Sequence, residues 1–340
     1  MPDQPGRIAE SIEFWFDRHQ RPLPWRLSYD PYLVWVSEVM LQQTRMEVVL
    51  RYFSPFVTRF PEVRALAAAS EEEVLAAWSG LGYYRRARML HAGARDVVER
   101  FGGVIPADPD SLQTIAGIGR YTAGAIASIA WRQRAAIVDG NVARVASRLF
   151  AIEAAVGSRE LMAAAWSQAA GLVEACSDPR ALNQGLMEIG ALVCTPQKPD
   201  CVSCPVRDDC RAWATGRAST LPFPKERRVA TRMIVPLYLI DDGRGRFLMR
   251  RERGALMTSM LHLPHGSNAL LGGRVLSVVE RELIGSFRHT ITTRNIEFRL
   301  HRADLREIAD SGEYEWVDPD SLAQLPHPSY VAKAVALARA

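Results

Sequence analysis

The sequence predicts a mostly α-helical N-terminal region followed by a smaller α+β domain. Three observations support this fold class: a length of 340 residues, apolar residues at helical spacing before residue 220, and short alternating segments after residue 230. With 48% hydrophobic and 24% charged residues, the composition is that of a globular protein and excludes a disordered or fibrous chain.

The sequence offers no sign of a membrane or secretory protein. Its apolar runs fall short of the roughly 18 residues that a membrane helix needs. The first residues carry neither a basic cluster nor an apolar stretch, so we expect no secretory signal. The expected location is cytoplasmic and nucleoid-associated, with no membrane partner.

Residues 1–220 form the first predicted domain, because apolar side chains recur there at intervals of three and four. Proline and glycine stand at the predicted ends of its helices. The sets that predict helices are Ile8, Ile12, Trp15 and Phe16; Val142, Val145, Ala146 and Leu149; and Leu182, Leu186, Ile189 and Val193.

Residues 221–230 read as a linker, since two prolines hold the segment extended and the charges after them favour water. Residues 231–340 form the second predicted domain. Its strands are expected at 234–240 and 247–249, with a turn at 241–243 between them. Two further elements are predicted: a half-buried strand with Ile296, Phe298 and Leu300 on one face, and a helix at 331–338.

The charge of the chain does not by itself indicate nucleic acid. The formal net charge is +4, and lysine supplies few of the 42 basic residues. Acidic and basic residues balance over the first 220 positions. Any phosphate binding in that region must therefore come from a local arrangement of groups.

Four of the five cysteines follow the spacing C-x6-C-x2-C-x5-C near the end of the helical region. They are Cys194, Cys201, Cys204 and Cys210, and Cys176 stands apart. In a cytoplasmic protein, such a cluster indicates a metal site more often than disulfides. The spacing alone is compatible with a tetrahedral zinc ion or with a four-iron cluster.

A helix, a glycine turn and a second helix are predicted between residues 112 and 127. Gly117 and Gly119 would let a ligand approach the backbone, and the amides that begin the second helix would face it. This arrangement suits a backbone phosphate of DNA. A plain packed turn is the alternative interpretation.

Two carboxyl residues in apolar surroundings are candidates for acid–base chemistry. Asp139 precedes an amphipathic helix, where it could cap the helix, and the amides there would keep it ionised. Glu38 has mostly apolar neighbours, so burial would raise its pKa and favour the neutral form. The alternatives are an ordinary helix cap for Asp139 and an exposed helical glutamate for Glu38.

Motifs distributed over residues 23–210 resemble those of the endonuclease III and MutY DNA glycosylases. They are the cysteine spacing, the hairpin followed by Val138–Val142, Leu23-Pro24-Trp25-Arg26, Ser37-Glu38-Val39-Met40-Leu41-Gln42-Gln43-Thr44 and Gly80-Leu81-Gly82-Tyr83-Tyr84. The resemblance implies a helix–hairpin–helix glycosylase fold, with the hairpin at about 112–127 and an iron–sulfur loop at 194–210. It also implies that the four cysteines hold a 4Fe-4S cluster.

The same resemblance implies a role for each matching residue. Glu38 would protonate adenine, and Asp139 would stabilise the sugar cation with help from Tyr121 and Asn141. The implied contacts with adenine and DNA are Arg26, Gln43, Tyr83, Gln184, Gly117 and Gly119. Lys198 could meet a phosphate or be a solvated surface lysine, and Arg85, Arg86 and Arg88 could be a solvated face.

Residues 231–340 resemble the MutT-like (Nudix-like) domain of the MutY glycosylases, which reads 8-oxoguanine. Arg281-Glu282-Leu283 resembles part of a Nudix box, but the glycines and paired glutamates that hold magnesium are absent, so we expect no hydrolase chemistry there. Phe287-Arg288-His289-Thr290 matches the start of the family's recognition loop. The family continues F-S-H where this chain has Ile291-Thr292-Thr293, so the preference could be relaxed, shifted or supplied by neighbours. The tip of a hairpin is the alternative interpretation of this segment.

The resemblance therefore predicts a monofunctional enzyme that releases adenine mispaired with 8-oxoguanine or guanine from double-stranded DNA. It is expected to act as a monomer. Strand-cutting relatives form a Schiff base through a lysine where this chain has Tyr121. Two alternatives remain: release of another base, such as thymine from T·G pairs, and a non-catalytic iron–sulfur module that binds DNA.

Overall fold

The computed structural model describes residues 4–225, 231–251, 260–265, 277–291, 294–307 and 314–339. The chain forms two compact units, Met1–Ala68 with Met89–Glu226, and Ala69–Arg88 with Arg227–Ala340. We call them the helical unit and the sheet unit. The predicted boundary therefore needs one correction, because residues 69–88 group with the sheet unit. One reason is that the Tyr84 hydroxyl donates to the His327 carbonyl oxygen over 2.8 Å.

The helical unit confirms the prediction that the first region is mostly α. Its helices, together with those of residues 69–88, are α1 Gln4–His19, α2 Pro31–Leu41, α3 Met46–Arg59, α4 Val63–Ala68, α5 Glu71–Ala77, α6 Arg85–Phe101, α7 Pro109–Gln113, α8 Arg120–Ala125, α9 Gly140–Leu149, α10 Arg159–Ala175, α11 Pro179–Leu192 and α12 Arg211–Ala214. Shorter helical turns lie at Pro24–Arg26, Ile126–Ala130 and Arg207–Asp209.

Side-chain caps fix where the functional helices begin. The Asp30 carboxylate accepts from the amides of Tyr32 and Leu33 at the start of α2. The Asp139 side chain likewise caps α9. These caps satisfy amide groups that have no partner within the helix, and each is worth about 1 kcal/mol.

The core of the helical unit confirms the predicted helical faces. Ile8 and Ile12 of α1 pack with Val142 and Leu149 of α9 in one buried cluster, and Leu182 of α11 joins them. A smaller cluster, built from Val34, Ala125, Ile129 and Ile137, contacts Tyr121 and Met187. Helices α1, α9 and α11 thus support the region where the candidate residues lie.

The predicted linker is only partly a linker. Residues 226–230 lie outside the described part of the chain. Leu221 is buried, and Phe223 pairs with the backbone of Ala154 and Val156. Burial of the apolar Leu221 side chain favours this position over water, whereas the exposed Phe223 is held through its backbone.

The sheet unit contains six strands in the described residues: β1 Thr231–Leu239, β2 Phe247–Arg251, β3 Leu261–His262, β4 Ser277–Ile291, β5 Arg294–Glu307 and β6 Tyr314–Val317. One sheet has the order β1-β5-β4, with β1 parallel and β4 antiparallel to β5. The other has the order β3-β2-β6 and is antiparallel. A helical turn at Pro319–Gln324 and helix α13, Ser329–Arg339, follow.

The core of the sheet unit confirms the predicted strand faces and closing helix. Ile296, Phe298 and Leu300 alternate inward on β5 and pack against Tyr330 and Val331 of α13. The three residues that resemble a Nudix box, 281–283, lie within β4. Their side chains therefore alternate between the two faces of a strand.

In the part of the chain that the structure describes, no helix combines the length and apolar character needed to cross a bilayer.

Candidate active site and cysteine pocket

Glu38 is a buried carboxyl group on α2, with 5% of its surface exposed. The Tyr121 hydroxyl lies 2.7 Å from its Oε2. Burial and, to a smaller extent, the negative charge of Asp139 raise the pKa of Glu38 to about 7, although Tyr121 and Arg26 oppose the shift. The structure therefore supports the prediction of a carboxyl group that can be protonated near neutral pH.

Tyr121 stands near the beginning of α8, beside both carboxyl groups. Its hydroxyl also lies 3.3 Å from the Met187 sulfur. Burial, followed by the charges of Glu38 and Asp139, raises the pKa of Tyr121 well above its ordinary value. The phenol therefore stays protonated and can donate its hydrogen bond to Glu38.

Asp139 caps α9 and points its carboxylate toward the same site. Its Oδ1 accepts from the Val142 amide over 2.7 Å, and its Oδ2 accepts from the Asn141 side-chain amide over 3.0 Å. Burial raises its pKa, whereas the amides, Asn141 and Arg144 lower it. The net direction is upward, so at this site the effect of burial on the pKa exceeds that of the amides that we expect to keep the carboxylate ionised.

Glu38, Tyr121, Asp139 and Asn141 thus come together, although they lie far apart in the sequence. Glu38 and Asp139 interact electrostatically, and both act on Tyr121. The arrangement places a carboxyl group that can donate a proton near a carboxylate that accepts hydrogen bonds. It can therefore protonate one part of a bound molecule and stabilise positive charge on another.

Arg144 and Gly190 support this site and were missed by sequence reasoning. Arg144 Nη2 donates to Asn141 Oδ1 over 2.9 Å and to the Gly190 oxygen over 2.7 Å, and its Nε donates to the Cys194 oxygen over 2.8 Å. A Cβ added at Gly190 would lie 2.7 Å from the Asn141 Cβ. The sequence signal for Arg144 was its position three residues after Asn141, which puts both side chains on the same side of α9.

Gln184 lies in a second cluster of polar side chains in the helical unit. It is buried, and its Oε1 accepts from Arg26 Nε over 2.9 Å. Arg26 Nη2 also donates to Glu188 Oε2 over 3.2 Å, and Arg21 Nε donates to Glu188 Oε1 over 2.7 Å. Although burial opposes it, the hydrogen bonds from the two arginines lower the pKa of Glu188.

Glu188 was also missed by sequence reasoning. The sequence could have indicated Glu188 by its position one helical turn after Gln184, because this spacing puts the two side chains on the same face of α11. The ion pairs keep its carboxylate charged although only 2% of its surface is exposed.

The predicted hairpin is present between α7 and α8. Gly117 has a φ of +79°, and a Cβ there would lie 2.7 Å from the Met89 Cβ, so glycine is required. Gly119 caps α8 with extended backbone, and a Cβ there would meet nothing within 4 Å. The space beside Gly119 is therefore open to an approaching group.

The four clustered cysteines line one pocket of about 300 Å³, a volume that includes open solvent. Burial is the largest cause that raises the pKa of Cys201 and Cys210 and that raises the pKa of Cys204 to about 12, and the electrostatic effect of the neighbouring Cys194 acts in the same direction. A cation in the pocket would reverse this effect, since it favours thiolates. Among the described residues, no three His, Cys, Asp or Glu side chains meet the geometry of a single-ion site.

Arg148 joins α9 to the cysteine pocket. Its Nη1 lies 3.3 Å from the Cys194 sulfur and donates to the Thr195 oxygen over 2.7 Å. Its Nη2 donates to the Pro196 oxygen over 3.0 Å. The guanidinium thus holds the loop that begins at Cys194.

Gln43, Lys198 and Tyr83 are exposed, whereas Arg86, for which a solvated face is one interpretation, is buried. Gln43 has a φ of +56° and an exposed side chain. The Lys198 side chain is exposed, and its carbonyl oxygen accepts from the Thr195 hydroxyl over 2.6 Å. Tyr83 belongs to the sheet unit, where its side chain is about half exposed and its φ is +48°.

The predicted recognition segment lies at the end of β4. His289 is half-buried, with its ring 6.0 Å from that of Tyr330, and burial lowers its pKa. The Thr290 hydroxyl donates to Asn295 Oδ1 over 3.0 Å, across the β4–β5 pair. Thr292 lies outside the described residues. The hairpin itself is confirmed, since β4 and β5 pair up to Ile291 and Arg294.

Comparison with known proteins relates the helical region to DNA repair proteins. Residues 36–170 match the family model described as HhH-GPD superfamily base excision DNA repair protein. The chain is 48% identical over 211 residues to the adenine DNA glycosylase of Homo sapiens, a match that covers 59% of this chain and 38% of that protein. It is 35% identical over 223 residues to that of Buchnera aphidicola subsp. Schizaphis graminum (strain Sg), covering 65% and 64%. The chain thus spans less than two thirds of the length of these relatives.

Solved structures agree on the fold of this region. A thermostable thymine-DNA glycosylase superposes with a TM-score of 0.55 at 27% identity, covering 62% of this chain and 97% of that chain. An endonuclease III trapped as a covalent intermediate on DNA gives a TM-score of 0.51 at 22% identity, covering 61% and 94%. Residues 36–170 are therefore similar to the HhH-GPD superfamily of base excision DNA repair proteins, and the matched part of the chain is similar to adenine DNA glycosylases.

Proposed function

We propose that the chain is a monofunctional DNA glycosylase that hydrolyses the N-glycosidic bond of adenine mispaired with 8-oxoguanine or guanine. One observation carries the proposal: Glu38 and Asp139 share a site with Tyr121, and burial raises the pKa of Glu38 to about 7. The similarity to adenine DNA glycosylases supports the choice of base.

The two carboxyl groups would divide the reaction between them. Glu38 would protonate adenine N7 as the base–sugar bond breaks, since a protonated base leaves more easily. The Asp139 carboxylate would stabilise the oxocarbenium character left on the sugar, through its charge or a transient covalent bond, until water attacks. Tyr121 would orient Glu38, and Asn141 would orient Asp139 and the water.

The adenine must leave the helical stack to reach these groups. Gln184, supported by Arg26, offers an amide that matches the donor–acceptor edge of adenine. Gln43 and Tyr83 are exposed residues with positive φ, which suits side chains that fill or wedge the gap left in the duplex.

The reaction would stop after base release. Strand cutting by a Schiff base needs a lysine amine at the sugar. The corresponding position holds the Tyr121 phenol, hydrogen-bonded to Glu38. Lys198, the first lysine of the chain, is exposed.

Cys194, Cys201, Cys204 and Cys210 would hold a 4Fe-4S cluster. They fit this group because four thiols line one pocket beside the Arg148 guanidinium. A bound cluster would cross-link residues 194–210 and so fix the loop that presents Lys198. The chain's own residues perform every step proposed at the sugar.

The hairpin around Gly117 and Gly119 would bind a backbone phosphate, because the space beside Gly119 is open. The sheet unit would resemble a MutT-like domain and contact the base opposite adenine through His289, Thr290 and Thr292. Double-stranded DNA would be the partner of both units, and the chain would act as a monomer.

Thymine release is a second candidate, favoured by the similarity of the helical unit to a thermostable thymine-DNA glycosylase. The test is single-turnover base release from duplexes that pair adenine with 8-oxoguanine, guanine or cytosine, together with a T·G duplex. We expect adenine release opposite the first two, strand breaks only after alkali, and no strong borohydride-trapped adduct. Release of thymine alone, or strong trapping that depends on turnover, would contradict the proposal.

A further inference from the structure

The loop that presents Tyr83 has an unusual backbone. Tyr83 has a φ of +48°, between Gly80 at +96° and Gly82 at +71°. Residues with side chains rarely adopt such a φ, and surrounding contacts must hold it. About half of the Tyr83 side chain is nevertheless exposed.

Contacts within the loop hold its backbone. The Trp78 indole donates to the Gly82 oxygen over 3.2 Å, and Arg86 Nη2 donates to the same oxygen over 3.2 Å. The Arg86 guanidinium lies 5.5 Å from the Tyr83 ring and 5.4 Å from the Trp78 ring. These contacts shape the loop, but all of them come from the loop itself and from the start of α6.

Tyr84 ties this loop to a distant part of the chain. Its side chain is buried, and its hydroxyl donates to the His327 oxygen over 2.8 Å. The same hydroxyl accepts from the Gly80 amide over 3.2 Å. One phenol oxygen thus joins the first glycine of the loop to the turn before α13.

The turn that receives this hydrogen bond is itself fixed. The Leu261 amide of β3 donates to the Pro326 oxygen over 2.9 Å, and the Val331 amide donates to the Pro328 oxygen over 2.9 Å. The His327 Nδ1 lies 2.8 Å from the Leu325 oxygen. The His327 carbonyl is therefore a rigid acceptor between a core strand and a core helix.

We propose that Tyr84 is a positioning residue through which the sheet unit holds the Tyr83 wedge ready to open the base pair. This inference rests on the proposed function. A side chain that separates stacked bases acts best when its backbone is ordered before it meets the duplex, because no ordering entropy is then lost on insertion. The sheet unit would therefore control base opening as well as contact the opposite base.

The test compares Tyr84→Phe, which keeps the ring and removes the hydroxyl, with the otherwise identical chain that retains Tyr84. Base opening is read from the fluorescence of 2-aminopurine beside the target adenine, in a Glu38→Gln background that prevents base release. We expect the opening equilibrium to fall roughly fivefold, the size of one lost hydrogen bond. In a Tyr83→Ala background, the same substitution should have no further effect.

Tyr32→Phe is the matched control. Its hydroxyl is buried and donates to a backbone carbonyl, that of Phe60, over the same distance of 2.8 Å. The variant should lose comparable stability and leave base opening unchanged. Tyr238→Phe, which loses a hydrogen bond to Glu280 within the sheet unit, should also open the base pair normally.

Three results would overturn the positioning role: normal opening in Tyr84→Phe, an equal loss with and without Tyr83, or an equal loss in either control. If Tyr84→Phe does not fold, His327→Ala is the second variant, because it loosens the turn that accepts the hydrogen bond. It should give the same Tyr83-dependent loss of base opening. Normal base opening in His327→Ala would also overturn the positioning role. A wild-type chain that releases no base contradicts the proposed function, whereas an active wild type with normal Tyr84→Phe contradicts only this inference.

Discussion

Glu38 and Asp139 reach one site from two regions of the helical unit, and these regions treat a carboxyl group differently. Glu38 lies inside α2, where the Tyr121 hydroxyl donates to its Oε2 and burial raises its pKa to about 7. Asp139 lies at the start of α9, where an amide, Asn141 and the charge of Arg144 oppose the effect of burial. The difference teaches that the first turn of a helix supplies amides that oppose the effect of burial on a carboxyl group, whereas the interior of a helix does not.

The largest expected effect is loss of adenine release when either carboxyl group is replaced. Glu38→Gln removes the proton donor and Asp139→Asn removes the anion, so single-turnover rates should fall by about 10²- to 10⁴-fold. Glu13→Gln is a matched control, because Glu13 is a buried carboxyl group of the same unit that accepts from the amides of Ser177 and Asp178. A normal rate in either active-site variant would remove the basis of the comparison.

The pH dependence of base release should report the protonated state of Glu38. Above about pH 7 the rate should fall about tenfold per pH unit, as the donor loses its proton. Tyr121→Phe should move this break to higher pH, because the phenol lowers the pKa of Glu38. A rate independent of pH between 6 and 9, a window of roughly three units around the expected pKa, would show that Glu38 is not the acid.

Arg144→Met should weaken the Asp139 side of the site and leave the Glu38 side intact. Loss of the hydrogen bond to Asn141 would displace the group that orients Asp139, and small displacements cost on the order of 10²-fold in rate. The pH above which the rate of base release begins to fall should not change. Arg134→Met is the control, since Arg134 also donates to backbone carbonyls, those of Val173 and Glu174. An equal loss in both variants would contradict the positioning of Asn141 by Arg144.

The smallest expected effect is on stability. Because burial raises the pKa of Glu38 above that of the unfolded chain, the free energy of unfolding falls as pH rises from about 4.5 to about 7. Glu38→Gln avoids this cost, so at pH 8 it should be more stable than wild type by no more than about 3 kcal/mol. The difference should vanish near pH 4, below the unfolded pKa. Thermal unfolding at the two pH values measures it.

Local signals in the sequence were sufficient for the main elements of the site. The hairpin follows from Gly117, whose positive φ requires glycine, and the start of α9 follows from Asp139 as a cap. The burial of Glu38 follows from its apolar neighbours. Each of these inferences uses residues within one or two turns of the chain.

What the sequence could not predict depends on contacts between distant residues. Arg144 meets the Cys194 carbonyl, and Glu188 meets Arg21, through the packing of separate helices. Residues 69–88 group with the sheet unit, where Tyr84 donates to the His327 carbonyl. No periodic pattern in the sequence encodes such pairs, since they arise only when the helices and strands have assembled.

The central claim is that the two carboxyl groups of one site hold different protonation states near neutral pH. The most direct measurement is a titration of carboxyl resonances by NMR, with ¹³C-labelled glutamate and Glu38→Gln for assignment. The account predicts a Glu38 resonance that titrates near pH 7 and is missing from the variant. Titration of Glu38 at its ordinary value of about 4.5 would contradict the account.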